Sequence, residues 1–319
     1  MHVPDGFLDA KTTAVTLALG ALGLGWAARR ARASLPPRKI PLLGLAAAFV
    51  FAAQMLNFPV AGGTSGHLLG GVLAAVLLGP SAGVVVIASV LVVQCLVFAD
   101  GGLLALGANI FNMAVVGAAG GYGVYALVRR RAPGLRGRLM AAAFASWCSV
   151  VLASSACAVE LAASGAVAWN VVFPAMAGIH MLIGVGEAVI TALVLVAVSV
   201  TRPEVLGDEA QPVPAKRYAS ALVYGLLIAL GLAVLVSPFA SPSPDGLEKV
   251  AEMLGFGGRA AETPLVPSPI PDYEMPGMAS PTRATAAAGA VGTVIMFGVA
   301  YLLARRLVPA EKKKCATTS

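Results

Sequence analysis

The chain has 319 residues, of which 58% are hydrophobic and only 12% are charged, and its net charge is +7. The mean hydropathy is +0.86, and the charged fraction is about half of the roughly 25% found in soluble domains. These values exclude a soluble globular protein, a disordered chain and a disulfide-rich scaffold. They predict an all-α polytopic membrane protein whose positive charge needs a separate explanation.

Nine apolar stretches are candidates for membrane-spanning helices, which need about 20 apolar residues each. In chain order they are residues 12–28, 41–57, 67–79, 82–99, 105–128, 139–164, 171–200, 217–237 and 284–304. The third and fourth come from one run over 67–99 that we divide at Gly79-Pro80-Ser81, because proline cannot continue a helix without losing a hydrogen bond. One span followed by a re-entrant segment is the alternative for this run.

The basic residues lie mainly on one side of the predicted spans. Nine spans put the two termini on opposite sides, and if the N-terminus is outside, the cytoplasmic segments hold 18 of the 22 Lys and Arg residues. This bias follows the positive-inside rule. We therefore expect a multi-pass protein of the cell membrane with an external N-terminus and a cytoplasmic C-terminus. The same bias accounts for the positive charge without a nucleic-acid partner.

A polar, proline-containing segment at 201–216 divides the predicted spans into two modules. Residues 1–200 form a bundle of seven predicted helices, and residues 217–305 form a two-helix hairpin followed by a basic tail at 306–319. The hairpin encloses an external loop at 238–283, here called the strap, which contains 9 of the 21 prolines and six acidic residues. We expect the strap to be extended and without regular structure.

The N-terminal Met1-His2 pair has the chemistry of a chelating metal site. The opening residues lack the basic segment of a signal peptide, so we expect Met1 to be retained with a free amine. This amine, the backbone nitrogen of His2 and its imidazole can close adjacent chelate rings on one ion. A fourth nitrogen would complete the square-planar set that suits Ni(II) or Cu(II). Taken alone, the dipeptide is also compatible with an ordinary polar residue near a terminus.

The other two histidines are His67 and His180. His67 follows a run of small residues at the predicted external face, on the same side as Met1, where a tightly folded backbone is expected. His180 and Glu187 lie two helical turns apart on one face of a predicted span, where ionisable side chains are costly and are usually functional or paired. A helix-end histidine facing water and a structural polar pair are the alternative explanations.

Three segments in this order resemble the signatures of the CbiM/NikM family, the substrate-specific components of energy-coupling factor transporters for cobalt and nickel. They are residues 1–8 (MHVPDGFL), residues 53–70, which contain AQMLNFP and GTSGHLLG, and residues 180–188 (HMLIGVGEA). Residues 243–251 (SPDGLEKVA) are similar to the PDGLE segment of CbiN/NikN-type small components. The chain therefore looks like a fusion of the two components, separated by the linker.

The resemblance implies a metal ion held by the Met1 amine, the amide and imidazole nitrogens of His2, and the imidazole of His67. The residues that it implies as supporting groups, without direct metal binding, are Asn57, Thr64, Ser65, His180 and Glu187, of which the first three would orient His67. Ni(II) or Co(II) would be the transported substrate and not a permanent cofactor. Square-planar nitrogen ligation slightly favours nickel.

The resemblance also implies partners. Uptake would need a transmembrane coupling protein and two cytoplasmic ATPase subunits, because this chain contains no GxxxxGK[ST] motif with which to hydrolyse ATP. The second module would assist metal loading or release, and its acidic loop would attract cations. Two other functions remain open. One is an intramembrane metalloenzyme using His180 and Glu187, although the chain lacks the HExxH motif, and the other is a structural scaffold for partner helices.

Overall fold

The computed structural model describes residues 1–206, 215–261 and 263–308, which are mostly helical and include one two-stranded hairpin. The longer helices are α1 (Ala10–Ser34), α2 (Ile40–Gln54), α3 (Gly71–Leu78), α4 (Pro80–Phe98), α5 (Leu106–Arg129), α6 (Gly134–Ala163), α7 (Trp169–Thr201), α8 (Ala215–Gly231), α9 (Gly246–Leu254) and α10 (Pro281–Leu307). Residues 207–214 of the predicted linker and 309–319 of the predicted tail lie outside the described residues.

Six described helices are long and apolar enough to cross a membrane. They are α4, α5, α6, α7, α10 and the helix at Ala219–Phe239, which continues α8. Helix α1 and the adjoining helix at Pro37–Gln54 pass the same test only together, as a pair bent by 119°, so that the number is seven at most. The all-α membrane architecture is therefore confirmed, but the prediction of nine full spans is too high.

The predicted span at 67–79 is wrong. Helix α3 has only eight residues, which cover about 12 Å at 1.5 Å per residue, whereas the hydrocarbon core is about 30 Å thick. Gly70 and Gly79 bound this helix with positive φ values of 74° and 96°, and Pro80 opens α4. The apolar run is broken at the predicted place, but its first part is a short helix that follows a loop.

A small hairpin precedes α3. Strand β1 (Phe58–Val60) pairs antiparallel with β2 (Thr64–Gly66), and β2 is buried along its whole length. Gly62 and Gly63 form the turn with φ values of 87° and 70°, a region that glycine enters without a steric penalty. His67 follows β2 directly, so that the run of small residues brings it back into the bundle.

The two predicted modules pack against each other through α2, which contacts both α8 and α10. Glycines permit the close approach of these helices. A Cβ atom added to Gly292 would lie 2.3 Å from the Phe51 ring, and one added to Gly44 would lie 3.0 Å from the carbonyl oxygen of Phe297. The hairpin of the second module is thus fitted to the surface of the first module.

The strap contains a regular helix, so the prediction of an extended segment is wrong. Helix α9 begins with a capping box, in which Asp245 accepts hydrogen bonds from the backbone nitrogens of Leu247 and Glu248, and the Glu248 side chain accepts one from Asp245. Gly255 ends the helix in the left-handed conformation. The prolines of the strap do not interrupt this helix, because none falls within 245–263.

Candidate metal centre

The N-terminal segment is inserted into the helical bundle. Met1, Val3 and Phe7 are buried, with 6%, 1% and 4% of their surface exposed. The backbone nitrogen of Val3 donates to Asn109 Oδ1 at 2.8 Å, and Asn109 Nδ2 donates to the Val3 carbonyl oxygen at 3.1 Å. This reciprocal pair fastens the segment to α5 two residues from the N-terminal amine.

Asp5 provides a second anchor. Its carboxylate accepts hydrogen bonds from the backbone nitrogens of Leu103, Leu104 and Ala105 at 3.1, 2.9 and 3.2 Å. These groups lie just before α5, where the helix dipole favours a negative charge. A Cβ atom added to Gly102 would lie 2.1 Å from Asp5 Oδ1, so the carboxylate can approach this closely only because residue 102 is glycine.

The Met1 amine lies between His67 and Asp245. Its nitrogen is 2.8 Å from His67 Nε2 and 2.7 Å from Asp245 Oδ2. Two nitrogens bound at about 2.0 Å to one ion are about 2.8 Å apart at a right angle and about 3.3 Å apart at the tetrahedral angle. The separation of 2.8 Å is that of a hydrogen bond between the ammonium and the imidazole, and it is also compatible with two neighbouring ligands of a square-planar set.

His67 presents Nε2 to the amine because its other ring nitrogen is engaged. Nδ1 lies 3.1 Å from the carbonyl oxygen of Leu68. Since a carbonyl group only accepts, Nδ1 carries the proton and Nε2 has a free lone pair. Glu187 fixes the backbone that follows, because its carboxylate accepts hydrogen bonds from the nitrogens of Leu69 and Gly70 at 2.5 and 3.0 Å. Glu187 in this way supports the loop that carries His67.

The ring of His2 stacks on the ring of His67, with centroids 5.2 Å apart and an angle of 20° between the planes. His2 Nδ1 lies 3.1 Å from Asp100 Oδ1, whereas Nε2 is buried without a hydrogen-bond partner among the described residues. Burial lowers the pKa of His2 against the opposing effect of the Asp100 carboxylate. The imidazole is therefore neutral at neutral pH, as metal ligation requires.

Asn57, Thr64 and Ser65 contact the strap. The hydroxyl groups of Thr64 and Ser65 donate to carbonyl oxygens of residues 243–244 at 3.0 and 2.7 Å. The carbonyl oxygen of Asn57 accepts a 2.7 Å hydrogen bond from a backbone nitrogen of the strap. These contacts dock the strap, and the expected role of the three residues in orienting His67 stays a prediction.

Asp245 is the contact of the Met1 amine that our interpretation of the sequence missed. Its Oδ1 caps α9, while its Oδ2 accepts a hydrogen bond from the amine. Burial raises the pKa of this carboxyl group, but the Met1 ammonium, His67 and the hydrogen bonds to the carboxylate together outweigh burial and lower the pKa. One signal was available, because an aspartate three residues before a glutamate is typical of a helix start. The sequence alone places Asp245 among the acidic residues of the strap and in the PDGLE-like segment at 243–251, without a contact to Met1.

His180 lies beside the centre but separate from Glu187. Its Nδ1 is 2.7 Å from the Met176 carbonyl oxygen, and its Nε2 is buried without a partner among the described residues. His180 also lines a cavity of about 20 Å³ next to Met1, which is enough for about one water molecule. Seven residues correspond to about 10 Å along α7, and the Glu187 carboxylate is bound to backbone groups. These two side chains therefore do not form a common metal site.

A larger cavity of about 600 Å³ separates the N-terminal segment from part of the strap. Both His2 and His67 line it. Four acidic residues also line it: Asp100, Asp245, Glu248 and Asp272. A recess lined by one sign of charge concentrates ions of the opposite sign, so this cavity is suited to cations.

No group of three or more His, Cys, Asp and Glu side chains in the described part of the chain is arranged to hold a metal ion. The nitrogen set at the N-terminus differs from such a group, because two of its members are backbone atoms. The amine of Met1 and the amide of His2 would supply these two nitrogens.

Comparisons with known proteins match both parts of the chain to described families. Residues 2–205 match the family described as cobalt uptake substrate-specific transmembrane region, and residues 219–308 match the PDGLE domain. A putative fused nickel transport protein, NikMN, of Archaeoglobus fulgidus is 38% identical over 96% of this chain and 98% of its own length. The fused nickel transport protein NikMN of Rhodobacter capsulatus is 35% identical over 87% of this chain and 84% of its own.

Solved structures of metal transporters are also similar to this chain. A truncated transition metal transporter is 34% identical to this chain, with a TM-score of 0.57 over 62% of this chain and 98% of the other. Because these relatives are transport proteins, the chain is a multi-pass membrane component of metal uptake and not an enzyme. It belongs to the CbiM family of cobalt uptake substrate-specific transmembrane proteins and carries a PDGLE domain in its C-terminal part.

Proposed function

We propose that the protein is the substrate-binding subunit of an energy-coupling factor importer and captures Ni(II) or Co(II) at its external face for ATP-driven uptake. The observation that carries this proposal is the position of the Met1 amine, 2.8 Å from His67 Nε2, with the His2 ring stacked on His67. The N-terminal amine and a histidine 66 positions further along the chain thereby meet at one buried place, and the His2 ring lies beside them. The carboxylate-lined cavity next to them supplies an approach for cations.

The proposed ligands are four nitrogens: the Met1 amine, the backbone nitrogen and Nδ1 of His2, and Nε2 of His67. Each must be free of its proton before it binds the ion, so that capture releases protons and strengthens as the pH rises. A planar set of nitrogens suits Ni(II) well. Since the two fused relatives are named as nickel transport proteins, nickel is the favoured substrate.

The second module assists loading through Asp245. In the metal-free site its carboxylate pairs with the Met1 ammonium at 2.7 Å, which keeps the amine at the place where it is needed. When the ion takes the amine nitrogen and the proton leaves, the carboxylate remains beside the new positive charge and stabilises it. Thr64 and Ser65 contribute to the same step because they hold the backbone just before Asp245.

The wider assembly is also part of the proposal. We infer a metal-binding module at 1–200, a linker at 201–216 and a second module at 217–305, with the N-terminus outside the cell membrane and the C-terminus in the cytoplasm. The basic residues support this orientation, because 18 of 22 fall in the inferred cytoplasmic segments. Although α3 is too short to be a span, it ends beside the basic segment at 29–40, where Lys39 Nζ donates to the Leu77 carbonyl oxygen at 3.3 Å. A transmembrane coupling protein and two cytoplasmic ATPase subunits would supply the energy, since the chain has no P-loop motif of its own.

The proposal is tested by displacing the amine. A Gly-Ser-Gly extension before Met1 removes the amine from the site without substituting any side chain. We expect nickel binding by the purified protein, measured by calorimetry, to be lost. Three residues are added because a single added residue would make the histidine third in the chain, where its imidazole, two amides and the new amine form another nickel chelate.

The same three residues added at the C-terminus are the matched control and should leave binding unchanged. Undiminished nickel affinity after the N-terminal extension would refute the four-nitrogen site. His67→Ala should weaken binding more than His180→Ala, since loss of an outer-shell partner typically costs about 10–100-fold in affinity and loss of a ligand costs more. Equal losses would place His180 among the ligands. Competition between Ni(II) and Co(II) for the unaltered protein decides the substrate.

A further inference from the structure

We propose that Asp100 and Tyr273 position the imidazole of His2 in the metal-free centre, and that a metal ion must displace this contact before His2 can chelate it. The inference rests on the proposed function, because it concerns a ligand of the same site. It identifies two positioning residues, one from each module, that set the rate at which metal enters.

Asp100 connects His2 to the strap. It follows Ala99, which ends α4 with a left-handed φ of 58° and turns the chain. Its Oδ1 lies 3.1 Å from His2 Nδ1, and its Oδ2 accepts a hydrogen bond from the Tyr273 hydroxyl group at 2.6 Å. One carboxylate oxygen is therefore occupied by the histidine of the metal centre and the other by a residue of the second module.

Tyr273 is held in a backbone conformation that most residues avoid. Asp272 and Tyr273 both have positive φ values, of 54° and 58°, and non-glycine residues remain in this region only where their surroundings enforce it. The Tyr273 ring stacks on Phe98 with centroids 4.7 Å apart and an angle of 16°. Burial and then the Asp100 carboxylate raise the pKa of Tyr273 well above its usual value. The hydroxyl group therefore stays protonated and continues to donate to Asp100.

The contact with Asp100 and chelation need the same atom. Nδ1 is the ring nitrogen of His2 that can close a small chelate ring with the backbone nitrogen of the same residue, whereas Nε2 lies on the far side of the ring. Nδ1 is engaged with Asp100, and Nε2 has no hydrogen-bond partner among the described residues. His2 must therefore leave Asp100 when it binds an ion through Nδ1.

Because Nδ1 of His2 cannot contact Asp100 and bind an ion at the same time, weakening the contact with Asp100 should make metal entry faster. Asp100→Asn replaces the charged acceptor by a neutral amide and weakens the hydrogen bond. We expect nickel to associate about tenfold faster, the order of the difference between a hydrogen bond to a charged acceptor and one to a neutral acceptor. Tyr273→Phe keeps the ring on Phe98 and removes only the hydroxyl group that orients the carboxylate. This variant should also associate with nickel faster than the unaltered protein, but by less than Asp100→Asn.

The experiment is stopped-flow competition between the full-length purified protein and a chromophoric nickel chelator, with the absorption spectrum of bound nickel as a second readout. Asp272→Asn is the matched control, because it removes one negative charge from the same cavity and leaves the contact between Asp100 and His2 in place. We expect the control to bind no faster than the unaltered protein. The nickel spectrum should be the same in all variants, since none of them changes a ligand.

The result that overturns the inference is an Asp100→Asn variant that binds nickel at the rate of Asp272→Asn or more slowly. If Asp100→Asn fails to fold, Tyr273→Phe decides, and an unchanged or slower rate for that variant has the same meaning. Failure of the proposed function is distinct, because the unaltered protein itself would then not bind nickel. A variant that was merely misfolded would show fewer bound ions per chain and not a higher rate.

Discussion

Replacement of Asp5 by alanine should release the N-terminal segment from the bundle without touching a proposed ligand. The Asp5 carboxylate accepts three hydrogen bonds from residues 103–105, at 2.9 to 3.2 Å. Asp5→Ala leaves these backbone donors without their acceptor. Met1 and His2 should then spend more time outside the site, since they precede the lost anchor.

The size of the effect follows from the kind of contact. Loss of an acidic cap at the start of a helix costs about 1–2 kcal/mol, which corresponds to a factor of about 5–30 in the ratio of docked to undocked segment. The backbone nitrogen of Val3 is buried and bonded to Asn109 in the docked form. Its hydrogen exchange therefore reports undocking, and exchange should be about 5–30 times faster in the metal-free variant.

The assay is hydrogen–deuterium exchange of the N-terminal peptide, followed by mass spectrometry. Asp9→Ala is the matched control, because Asp9 caps α1 through Thr12 at 2.9 Å and has no part in docking Met1. Exchange at Val3 should be unchanged in that control. Saturating nickel should restore protection in Asp5→Ala, since a bound ion requires the docked amine. Unchanged exchange in Asp5→Ala would show that the carboxylate does not hold the segment, and the reasoning would be refuted.

Two further predictions concern Glu187 and Asp245. Glu187→Gln has one acceptor oxygen for the two backbone nitrogens at 69–70, so one buried donor loses its partner at a cost of about 1–3 kcal/mol. The melting temperature of Glu187→Gln should be lower than that of the unaltered protein, and its nickel affinity should be weaker. An unchanged melting temperature would contradict this prediction. Because the ammonium lowers the pKa of Asp245 in the folded protein, its stabilising contribution is complete above the unfolded pKa of about 3.9 and is lost as the pH falls through the lower folded value. The difference in melting temperature between the unaltered protein and Asp245→Asn should therefore be constant from about pH 5 to pH 7 and shrink below about pH 4, and a difference that vanished by pH 5 would refute the ion pair.

The helices of the membrane bundle were largely predictable because their signal is local. An apolar run with a basic segment or a proline at its end marks a span without any knowledge of its neighbours, and the predicted span at 171–200 corresponds to α7 at Trp169–Thr201. Helix α3 escaped this reasoning. Its residues are as apolar as those of a span. The loop before it, however, continues as far as Gly70 and so leaves only a short helix, and hydropathy does not distinguish an apolar loop from an apolar helix.

The contacts of the candidate centre were only partly predictable. Chelate chemistry directed attention to Met1 and His2, the run of small residues before His67 marked it as a candidate on the same side, and the resemblance implied it as a ligand. Asp245 was missed because 244 positions separate it from the amine that it contacts. Asp100 was missed because a lone carboxylate after an apolar span has no pattern of its own. Such contacts arise from packing of distant elements, which neither spacing nor composition records.

The pairing of the first residue with Asp245 also bears on why the two modules share one chain. A separate second module would have to find the first by diffusion, at whatever concentration the membrane contained. A covalent connection makes that encounter intramolecular and so raises the effective concentration of one module at the other. The fused chain also fixes the ratio of the modules at one to one. Individually weak docking contacts, such as those of Thr64 and Ser65 with the strap, are then sufficient to keep the carboxylate at the amine.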